Sequence, residues 1–275
     1  MTDLAGRQWR LIREETRDGP TNMALEEVAA RTAAKGGPRT VRVYRWEPGT
    51  LSLGYRQEAD TVDWAFCEHE GIGVTRRPTG GGGIYHDAVG DLSYSIVAPA
   101  DELPGDLMAC YERLCEPILD AFDRMGVDAR FVGEERPAIH RPACYLRDLN
   151  PAHDVVAGSG DGRKISGNAQ YRQRDAVIQH GSLLYDLPAE RHLGTFADPA
   201  TTPEEMRERV TTIHEQTGIN REEAVRALEQ SLSDWCDADD GAWTDDELDR
   251  ARRIADRKFG SDEWIRERID PTATA

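Results

Sequence analysis

The sequence predicts an α+β fold, in which a mixed β-sheet is flanked by helices. Strand-like and helix-like segments share the first 200 residues without the regular alternation of a doubly wound parallel sheet. Beyond about residue 200 the pattern is helical only. The chain has 275 residues, of which 39% are hydrophobic, and this is enough for a sizeable core. We therefore predict a main domain over residues 1–200 and a small helical C-terminal unit over residues 201–275.

Local signals place the elements of the first half. Residues 22–27 are typical of a helix start with an Asn or Thr cap and an acidic first turn. Strands are predicted where apolar residues alternate between turn signals, at 41–46, 51–55 and 92–97. The apolar positions of 106–125 recur every three or four residues, which predicts a helix that Gly126 ends. Pro117 should kink or divide that helix.

The second half begins with strands and then becomes helical. Asp161 and Gly162 predict a tight hairpin turn between strands at 154–156 and 163–165, and residues 176–185 form a further extended run. Thr202 and Thr244 each begin a capping-box pattern. A helical apolar stripe follows the spacing of Val225, Leu228, Leu232 and Trp235.

Composition limits the function. The net charge of −17 disfavours binding to nucleic acid or to an anionic membrane surface. The sequence shows no membrane-length apolar run and no signal-peptide pattern, so we expect a cytoplasmic protein. We also expect a monomer. The five cysteines show no metal-binding or paired spacing, so free thiols and no metal site are expected.

Lysine is scarce in this chain. Of the 34 basic residues only Lys35, Lys164 and Lys258 are lysines, and the rest are arginines. Together with the acidic surplus, this predicts a salt-rich cytoplasm, where screening weakens repulsion among carboxylates. GC-rich codon usage is the alternative explanation for the arginines.

A glycine-rich segment is the most unusual local feature. Arg76 and Arg77 are followed closely by Gly80, Gly81, Gly82 and Gly83, and then by His86. Consecutive glycines cost backbone entropy, so they suit a loop whose main chain approaches a ligand and offers N–H groups to it. The alternative is a flexible surface loop. The segment matches neither a P-loop nor a dinucleotide-binding fingerprint.

A lysine and a cysteine are further candidates for chemistry. Lys164 lies on a predicted strand directly after a turn, where its ammonium could stabilise a developing negative charge, or could simply be exposed. Ser166 and Gly167 follow it, and Gln179, His180 and Gly181 lie on the next strand. Cys144 lies outside any helical stripe and is either a thiolate nucleophile or a buried thiol.

Four motifs of the chain occur in a characteristic order, namely the helix at 22–27, the loop at 76–87 and the strands at 162–170 and 179–182. With them the chain resembles the lipoate and octanoate protein transferase/ligase family of the biotin/lipoate A/B protein ligase superfamily. The similarity covers most of residues 9–190. It implies a biotin protein ligase-like catalytic domain, with acyl-transfer chemistry within residues 1–200. The implied task is attachment of an octanoyl or lipoyl group to one lysine of a lipoyl domain, in an E2 subunit or a glycine cleavage H protein.

The resemblance also implies roles for individual residues. Cys144 and Lys164 would be catalytic, since Cys144 precedes the lysine motif and is followed by an aromatic residue, as in the cysteine-dependent octanoyltransferases. The implied substrate-binding residues are Arg76, Arg77, Gly80, Gly81, Gly82, Gly83, His86, Ser166, Gly167, Gln179, His180 and Gly181.

Two branches of this family differ in their acyl donor, and the sequence carries marks of both. Cys144 favours a transferase that takes octanoate from acyl carrier protein through a cysteine thioester and requires no cofactor. Three features depart from the pattern of the cysteine-dependent octanoyltransferases: Gly82, residues 85–87 and the long stretch between Cys144 and Lys164. Residues 85–87 are closer to lipoate-protein ligase A. A ligase would use free lipoate with ATP and Mg²⁺. A non-catalytic lipoyl-domain binder is a third reading.

Overall fold

A computed structural model describes residues 4, 6–151 and 153–273. The strands are β1 (Trp9–Arg17), β2 (Arg39–Trp46), β3 (Thr50–Leu53), β4 (Gly73–Arg76), β5 (Ile84–His86), β6 (Asp91–Pro99), β7 (Ala129–Phe131), β8 (Asp154–Ala157), β9 (Arg163–Arg172), β10 (Ala176–Leu184) and β11 (Asp239–Asp240). The α-helices are α1 (Gly19–Ala34), α2 (Trp64–His69), α3 (Leu107–Arg124), α4 (Ala189–Gly194), α5 (Pro203–Arg209), α6 (Ile213–Thr217), α7 (Arg221–Cys236), α8 (Asp245–Ile254) and α9 (Asp262–Ile265).

Eight strands form one mixed sheet in the order β11-β1-β2-β6-β10-β9-β8-β7. β1 pairs in parallel with both β11 and β2, whereas the remaining neighbours are antiparallel. A second sheet has the order β4-β3-β5 and carries the glycine-rich loop between β4 and β5. The predicted α+β class with a mixed sheet is confirmed.

The large sheet has a different core on each face, because side chains alternate along each strand. Val41 and Val43 of β2 pack in a core with α3 and α7. Tyr44 and Trp46, on the opposite face, pack with α1 and α8. The functional residues discussed below lie on the α1 face.

Two local predictions are wrong, and that for Pro117 is wrong for division of the helix, whereas a kink stays a prediction. The first helix begins at Gly19, because the Asp18 carboxylate accepts from the backbone N–H of Thr21; no Asn or Thr caps it and its first turn lacks acidic residues. Pro117 does not divide α3, which continues from Leu107 to Arg124. The C-terminal region is not helical only, since β11 extends the large sheet beside β1.

Other predictions are confirmed. α3 begins after Asp106 and ends at Arg124, and β8 and β9 form a hairpin, although its loop spans residues 158–162 and is longer than a tight turn. Thr202 caps α5 and Thr244 caps α8, each through a complete capping box. α7 packs on α3, and α8 packs on α1. The domain boundary near residue 200 stays a prediction. Within the described residues no helix is long and apolar enough to cross a membrane.

Candidate active site

A cavity of about 90 Å³ lies on the α1 face of the large sheet. Its inner wall is made by apolar side chains of α1, β2 and β5, namely Met23, Tyr44, Trp46 and Ile84. Most of the predicted site residues meet there, although they come from distant parts of the sequence. Those lining the cavity are Arg77, Gly80, Gly81, His86, Cys144, Lys164, Gly167, His180 and Gly181.

Lys164 is a buried cation in this cavity, with a relative exposure of 2%. Its Nζ lies 2.7 Å from Oδ1 of Asp154, at the start of the neighbouring strand β8. The β8–β9 register shifts so that Ser166 faces Val155 and Lys164 faces Val156, a β-bulge that leaves Ile165 as the extra residue. Burial lowers the pKa of Lys164, but the thiol of Cys144 and the Asp154 carboxylate together raise it above its ordinary value. Lys164 is therefore a protonated ammonium at neutral pH.

Cys144 begins a short helical turn, Cys144–Leu146, at the same cavity. Its Sγ lies 4.0 Å from Lys164 Nζ, and Nζ also donates to the Cys144 carbonyl oxygen at 3.0 Å. Cys144 is partly exposed, whereas the other four cysteines are buried. Burial raises the pKa values of the thiols of Cys67, Cys110, Cys115 and Cys236. Cys144 is thus the accessible thiol of the chain.

The glycine loop is fastened to the Cys144 segment. The Gly83 N–H donates to the Pro142 carbonyl at 2.7 Å, and the Cys144 N–H donates to the Gly83 carbonyl at 2.8 Å. A Cβ at Gly82 would lie 2.6 Å from the Pro142 oxygen and 2.9 Å from the Cys144 nitrogen, so only glycine fits there. Gly81 has a φ of +98°, which also favours glycine.

Arg77 holds the glycine loop through hydrogen bonds to its main chain. Its guanidinium donates to the carbonyls of Ser52, Gly80 and Gly82 at 2.7, 2.9 and 2.6 Å. Its Nε also donates to the Thr79 hydroxyl. Arg77 is 4% exposed and lines the cavity, so it holds the loop's main chain in place beside the reactive groups.

His180 connects the glycine loop to α1. One ring nitrogen lies 2.8 Å from Thr79 Oγ1, and the other lies 2.8 Å from the Glu26 carboxylate. Burial raises the pKa of Glu26, but His180, Arg42 and Tyr44 outweigh it and hold the pKa below its ordinary value. An ionised Glu26 therefore orients His180, as expected for a positioning group.

His86 also lines the cavity and has a similar arrangement of partners. Its ring nitrogens lie 2.9 Å from Asp91 Oδ2 and 2.9 Å from Ser52 Oγ, and its ring stacks on Trp46 at 4.2 Å between centroids. Asp91 also accepts from the hydroxyl of Ser182. Carboxylates thus fix the orientation of both His86 and His180.

Some of the predicted site residues do not line the cavity. Arg76 is fully buried and donates to the carbonyls of residues 54, 55, 57 and 265, which makes it a structural residue. Gln179 points to the other face of the sheet, because it alternates with His180 on β10, and it contacts Tyr94 and Gln170. Ser166 and Gly83 are buried outside the lining, and Gly82 lies in an adjoining groove.

Sequence reasoning missed several residues of the site. Asp154 is the partner of Lys164, and Arg147, Asp148, His153 and Asn168 also line the cavity. A carboxylate at the first position of the strand paired with the lysine strand was a usable signal for Asp154. Arg147 carried no such signal, since it is one arginine among many.

The lining also bears on cofactors. Its two carboxylates are engaged by cations: Asp154 by Lys164, and Asp148 by Arg141 at 2.8 Å. Among the described residues, no group of three His, Cys, Asp or Glu side chains is arranged to hold a metal ion. The guanidinium of Arg147 makes no hydrogen bond or ion pair within the described residues, although with Arg141 it helps to lower the pKa of the Asp148 carboxylate. A guanidinium at this cavity could hold a phosphate.

A thiol and an ammonium that face one cavity with an apolar inner wall define an acyl-transfer type of site. The chain matches the family described as Lipoyl protein ligase A/B catalytic domain over residues 18–233, and it belongs to that family. The predicted family and the prediction of an acyl-transferring enzyme are therefore confirmed.

Curated relatives and solved structures agree with this assignment. The chain is 32% identical to "Octanoyltransferase LipM" of Symbiobacterium thermophilum over 93% of its length and 97% of the relative. It is 30% identical to the protein of the same name from Bacillus subtilis, over 93% and 97%. A crystal structure of lipoate-protein ligase A bound with ATP superimposes with a TM-score of 0.78 at 25% identity, covering 95% of this chain and all of that one.

Proposed function

We propose that this protein is an octanoyltransferase that carries the acyl group on Cys144 and passes it to a lysine of a lipoyl domain, of an E2 subunit or a glycine cleavage H protein. The observation that carries the proposal is the 4.0 Å approach of Cys144 Sγ to Lys164 Nζ within one cavity. The names of the relatives support octanoyl transfer. The donor proposed is octanoyl acyl carrier protein, and the reaction then requires no cofactor.

In the first step the sulfur of Cys144 attacks the carbonyl carbon of the donor thioester. A new C–S bond forms to Cys144, the bond to the donor sulfur breaks, and the cysteine proton ends on the departing thiol. Octanoyl-Cys144 is the product of this step.

In the second step the acceptor lysine amine attacks the same carbonyl carbon. An amide bond forms, Cys144 leaves as a thiolate and recovers a proton from the amine. Both steps pass through an oxyanion. Lys164 can stabilise it because Nζ is held by Asp154 and the Cys144 carbonyl and lies 4.0 Å from Cys144 Sγ, beside the carbonyl group that the sulfur attacks. Backbone N–H groups of the glycine loop would assist.

The inner wall of the cavity suits the hydrocarbon tail. Met23, Tyr44, Trp46 and Ile84 would cover the chain, and each buried CH₂ group contributes about 0.8 kcal/mol. His86 and His180 are fixed by carboxylates at the sides of this cavity, and we propose that they position the substrate rather than act as the base.

Intact-protein mass spectrometry after incubation with octanoyl acyl carrier protein, without ATP, tests the proposal. The expected result is an octanoyl adduct that is absent in Cys144→Ser and retained in Cys67→Ala, a matched control because Cys67 is buried outside the cavity. Acyl transfer that survives Cys144→Ser would reject the covalent mechanism.

An ATP-dependent lipoate-protein ligase is the second candidate. It is favoured by the structural similarity to lipoate-protein ligase A bound with ATP and by the guanidinium of Arg147 in the cavity, which could hold a phosphate. In that reaction Lys164 would contact the carbonyl and the phosphate of the acyl-adenylate, and Cys144 would be a bystander. Transfer of lipoate that requires ATP and Mg²⁺ and persists in Cys144→Ser would establish this alternative.

We also propose a salt-rich intracellular setting for the enzyme. The 51 acidic residues, against 34 basic ones, support it. The expected result is a melting temperature that rises with added salt. A melting temperature that is already maximal without salt would contradict this setting.

A further inference from the structure

Three histidines line the cavity, and they differ in whether a ring nitrogen is free to accept a proton. They are His86, His153 and His180. An imidazole acts as a base only through an unprotonated nitrogen whose lone pair is not already occupied. The hydrogen bonds around each ring therefore decide which histidine can take a proton from a substrate.

The lone pair of His180 is occupied. The Thr79 hydroxyl oxygen accepts from Arg77 Nε at 3.1 Å, so its own hydrogen is free to point to His180 Nε2 at 2.8 Å. The other ring nitrogen of His180 carries the proton and donates to the Glu26 carboxylate at 2.8 Å. Both nitrogens of this ring are therefore engaged within the protein.

His86 is engaged in the same way. Ser52 Oγ accepts from Arg77 Nη1 at 3.2 Å and lies 2.9 Å from His86 Nε2, to which its hydrogen can point. Nδ1 of His86 carries the proton and donates to Asp91 Oδ2 at 2.9 Å. A ring held from both sides can position a substrate, but it has no lone pair left for the substrate's proton.

His153 is different, because neither of its ring nitrogens makes a hydrogen bond to any residue that the structure describes. Nε2 lies 4.0 Å from Asp154 Oδ2, which is too far for a hydrogen bond. The side chain is 34% exposed and lines the same cavity as Cys144 and Lys164. Its ring thus keeps a lone pair for a ligand of the cavity.

The position of His153 is fixed although its ring nitrogens are free. Its carbonyl oxygen accepts from Asn168 Nδ2 at 3.0 Å, and its N–H donates to the Asn150 carbonyl at 3.2 Å. The ring stacks on Tyr111 of α3, with 5.4 Å between the centroids. The Tyr111 hydroxyl in turn accepts from the N–H of Gln170 at 2.9 Å. These contacts hold the ring without using its nitrogens.

The environment of His153 keeps its ring neutral at neutral pH. The titratable and charged groups that face it are Tyr111 of α3, Asp154 of β8, Lys164 of β9, and Cys144, Arg147 and Asp148 of the segment before β8. Burial lowers the pKa of His153 below its ordinary value of 6.5, and Lys164 and Arg147 lower it further, whereas Asp154 raises it. Once protonated, the ring is attracted by the Asp154 carboxylate.

We propose that His153 is the base that takes the proton from the acceptor lysine amine during acyl transfer. This inference rests on the proposed function, and it adds the group that moves the proton. When the neutral amine attacks octanoyl-Cys144, the nitrogen of the tetrahedral adduct carries a positive charge. His153 takes one proton from that nitrogen.

The proton then follows the departing sulfur. The C–S bond breaks with its electron pair on sulfur, and the imidazolium of His153 returns the proton to the Cys144 thiolate. Without a base the adduct expels the amine instead, because a positively charged amine leaves more readily than a thiolate. His153 therefore directs the adduct towards the amide product.

Single-turnover transfer from pre-formed octanoyl-Cys144 to a lipoyl domain tests the proposal. The acylated protein is freed of the donor and mixed with the lipoyl domain, and mass spectrometry follows the loss of the octanoyl adduct. We expect His153→Gln to slow this step by about 10²-fold. His69→Gln, which alters an exposed histidine on α2 outside the cavity, is the matched control and should not change the rate.

The pH dependence distinguishes a base from a structural residue. Transfer that needs a neutral amine and a neutral imidazole makes the logarithm of the rate constant rise with pH, with a slope of about two below the pKa of His153 and about one above it. The break should fall below about pH 6.5. In His153→Gln the slope should be about one throughout.

A slope of about one from about pH 5 to pH 8 in the wild-type protein would overturn the proposal, and this result requires no variant. Equal rates and equal slopes in the wild-type protein and in His153→Gln would also overturn it. If octanoyl-Cys144 forms and transfers its acyl group with such unchanged profiles, the proposed function stands and the assignment of His153 fails.

The assignment of His153 can also be tested if octanoyl-Cys144 never forms and the proposed function fails. In the ligase reaction the acceptor amine attacks an acyl-adenylate, and that amine must also lose a proton. Transfer from pre-formed lipoyl-adenylate is then compared in the wild-type protein and in His153→Gln over the same pH range. A break that is present only in the wild-type profile supports His153 as the base, and identical profiles overturn it.

Discussion

Two of the three lysines of this chain are buried, and they differ in what surrounds them. Lys164 lies against Asp154 and Cys144 at a cavity, whereas Lys258 lies between Glu27 and Asp270, at 3.0 and 2.7 Å. Opposing carboxylates help to raise the pKa of both lysines despite burial. Scarcity, burial and ion pairing are therefore shared by both residues. Lys258 also lines a separate pocket, but Lys164 shares its cavity with a thiol, and this distinguishes the candidate catalytic lysine from the structural one.

Lys258 lies in the C-terminal segment and packs there against an aromatic side chain. Its Nζ lies 4.7 Å from the centroid of the Trp264 ring, and the Trp264 Nε1–H donates to the Arg76 carbonyl at 2.7 Å. The segment around Lys258 thus supports the strand that leads into the glycine loop. It does so without lining the cavity.

The largest effect is expected from Lys164→Met. Loss of oxyanion stabilisation should slow acyl transfer by about 10²–10³-fold. The variant also leaves Asp154 buried without its partner, which should lower the free energy of unfolding by about 3–5 kcal/mol. Single-turnover kinetics and urea denaturation measure the two losses.

The double variant Lys164→Met with Asp154→Asn controls for folding. It should recover much of the stability, because no uncompensated carboxylate remains, while transfer stays slow. Recovery of transfer together with stability would show that Lys164 is structural, and the contrast with Lys258 would disappear.

Gly82→Ala should alter the Lys164 site and leave the Lys258 site intact. The added Cβ overlaps the main chain of Pro142 and Cys144, so the Cys144 segment must move away from the loop. We expect a loss of about 1–3 kcal/mol in the free energy of unfolding and slower acylation of Cys144. Gly105→Ala, where an added Cβ meets nothing within 4 Å, is the matched control. Normal acylation in Gly82→Ala would mean that the close approach is dispensable.

Lys258→Met should separate stability from activity. Glu27 and Asp270 lose their cation, but Asp270 is partly exposed, so the expected loss is about 1–3 kcal/mol in the free energy of unfolding. Acyl transfer well below the melting temperature should not change, because Lys258 lies outside the cavity. A slowed transfer reaction in the folded variant would contradict the distinction drawn between the two lysines.

Alkaline pH should produce the smallest effect, and one shared by both lysines. The pKa of each is higher in the folded protein than its ordinary value of 10.5, so each contributes stability that is complete below that pH. This contribution is lost as the pH rises through the folded-state pKa. Melting temperatures measured from pH 8 upward should therefore fall above about pH 10.5, and less steeply in Lys258→Met. An equally steep decline in that variant would show that Lys258 does not contribute.

Much of the fold could be predicted because its signals are local. These signals depend on residues close in sequence. They are the apolar stripe of α3, the alternation of side chains along β2 and β6, and the capping boxes at Thr202 and Thr244. The wrong predictions share a different cause. The start of α1 was missed because Asp18 precedes the apolar pattern, and β11 is too short to show a period of its own.

For the candidate site too, some residues could be predicted from local sequence and others could not. The fold class could be predicted, and Lys164, Cys144 and the glycine loop could be picked out, because rare residue types and family-like motifs are visible without coordinates. The pairing of Lys164 with Asp154, the support that Arg76 gives the loop from outside the cavity and the place of Arg147 in the cavity lining became visible with the fold. These roles depend on strand register, a β-bulge and contacts between distant segments, and local sequence patterns do not encode them.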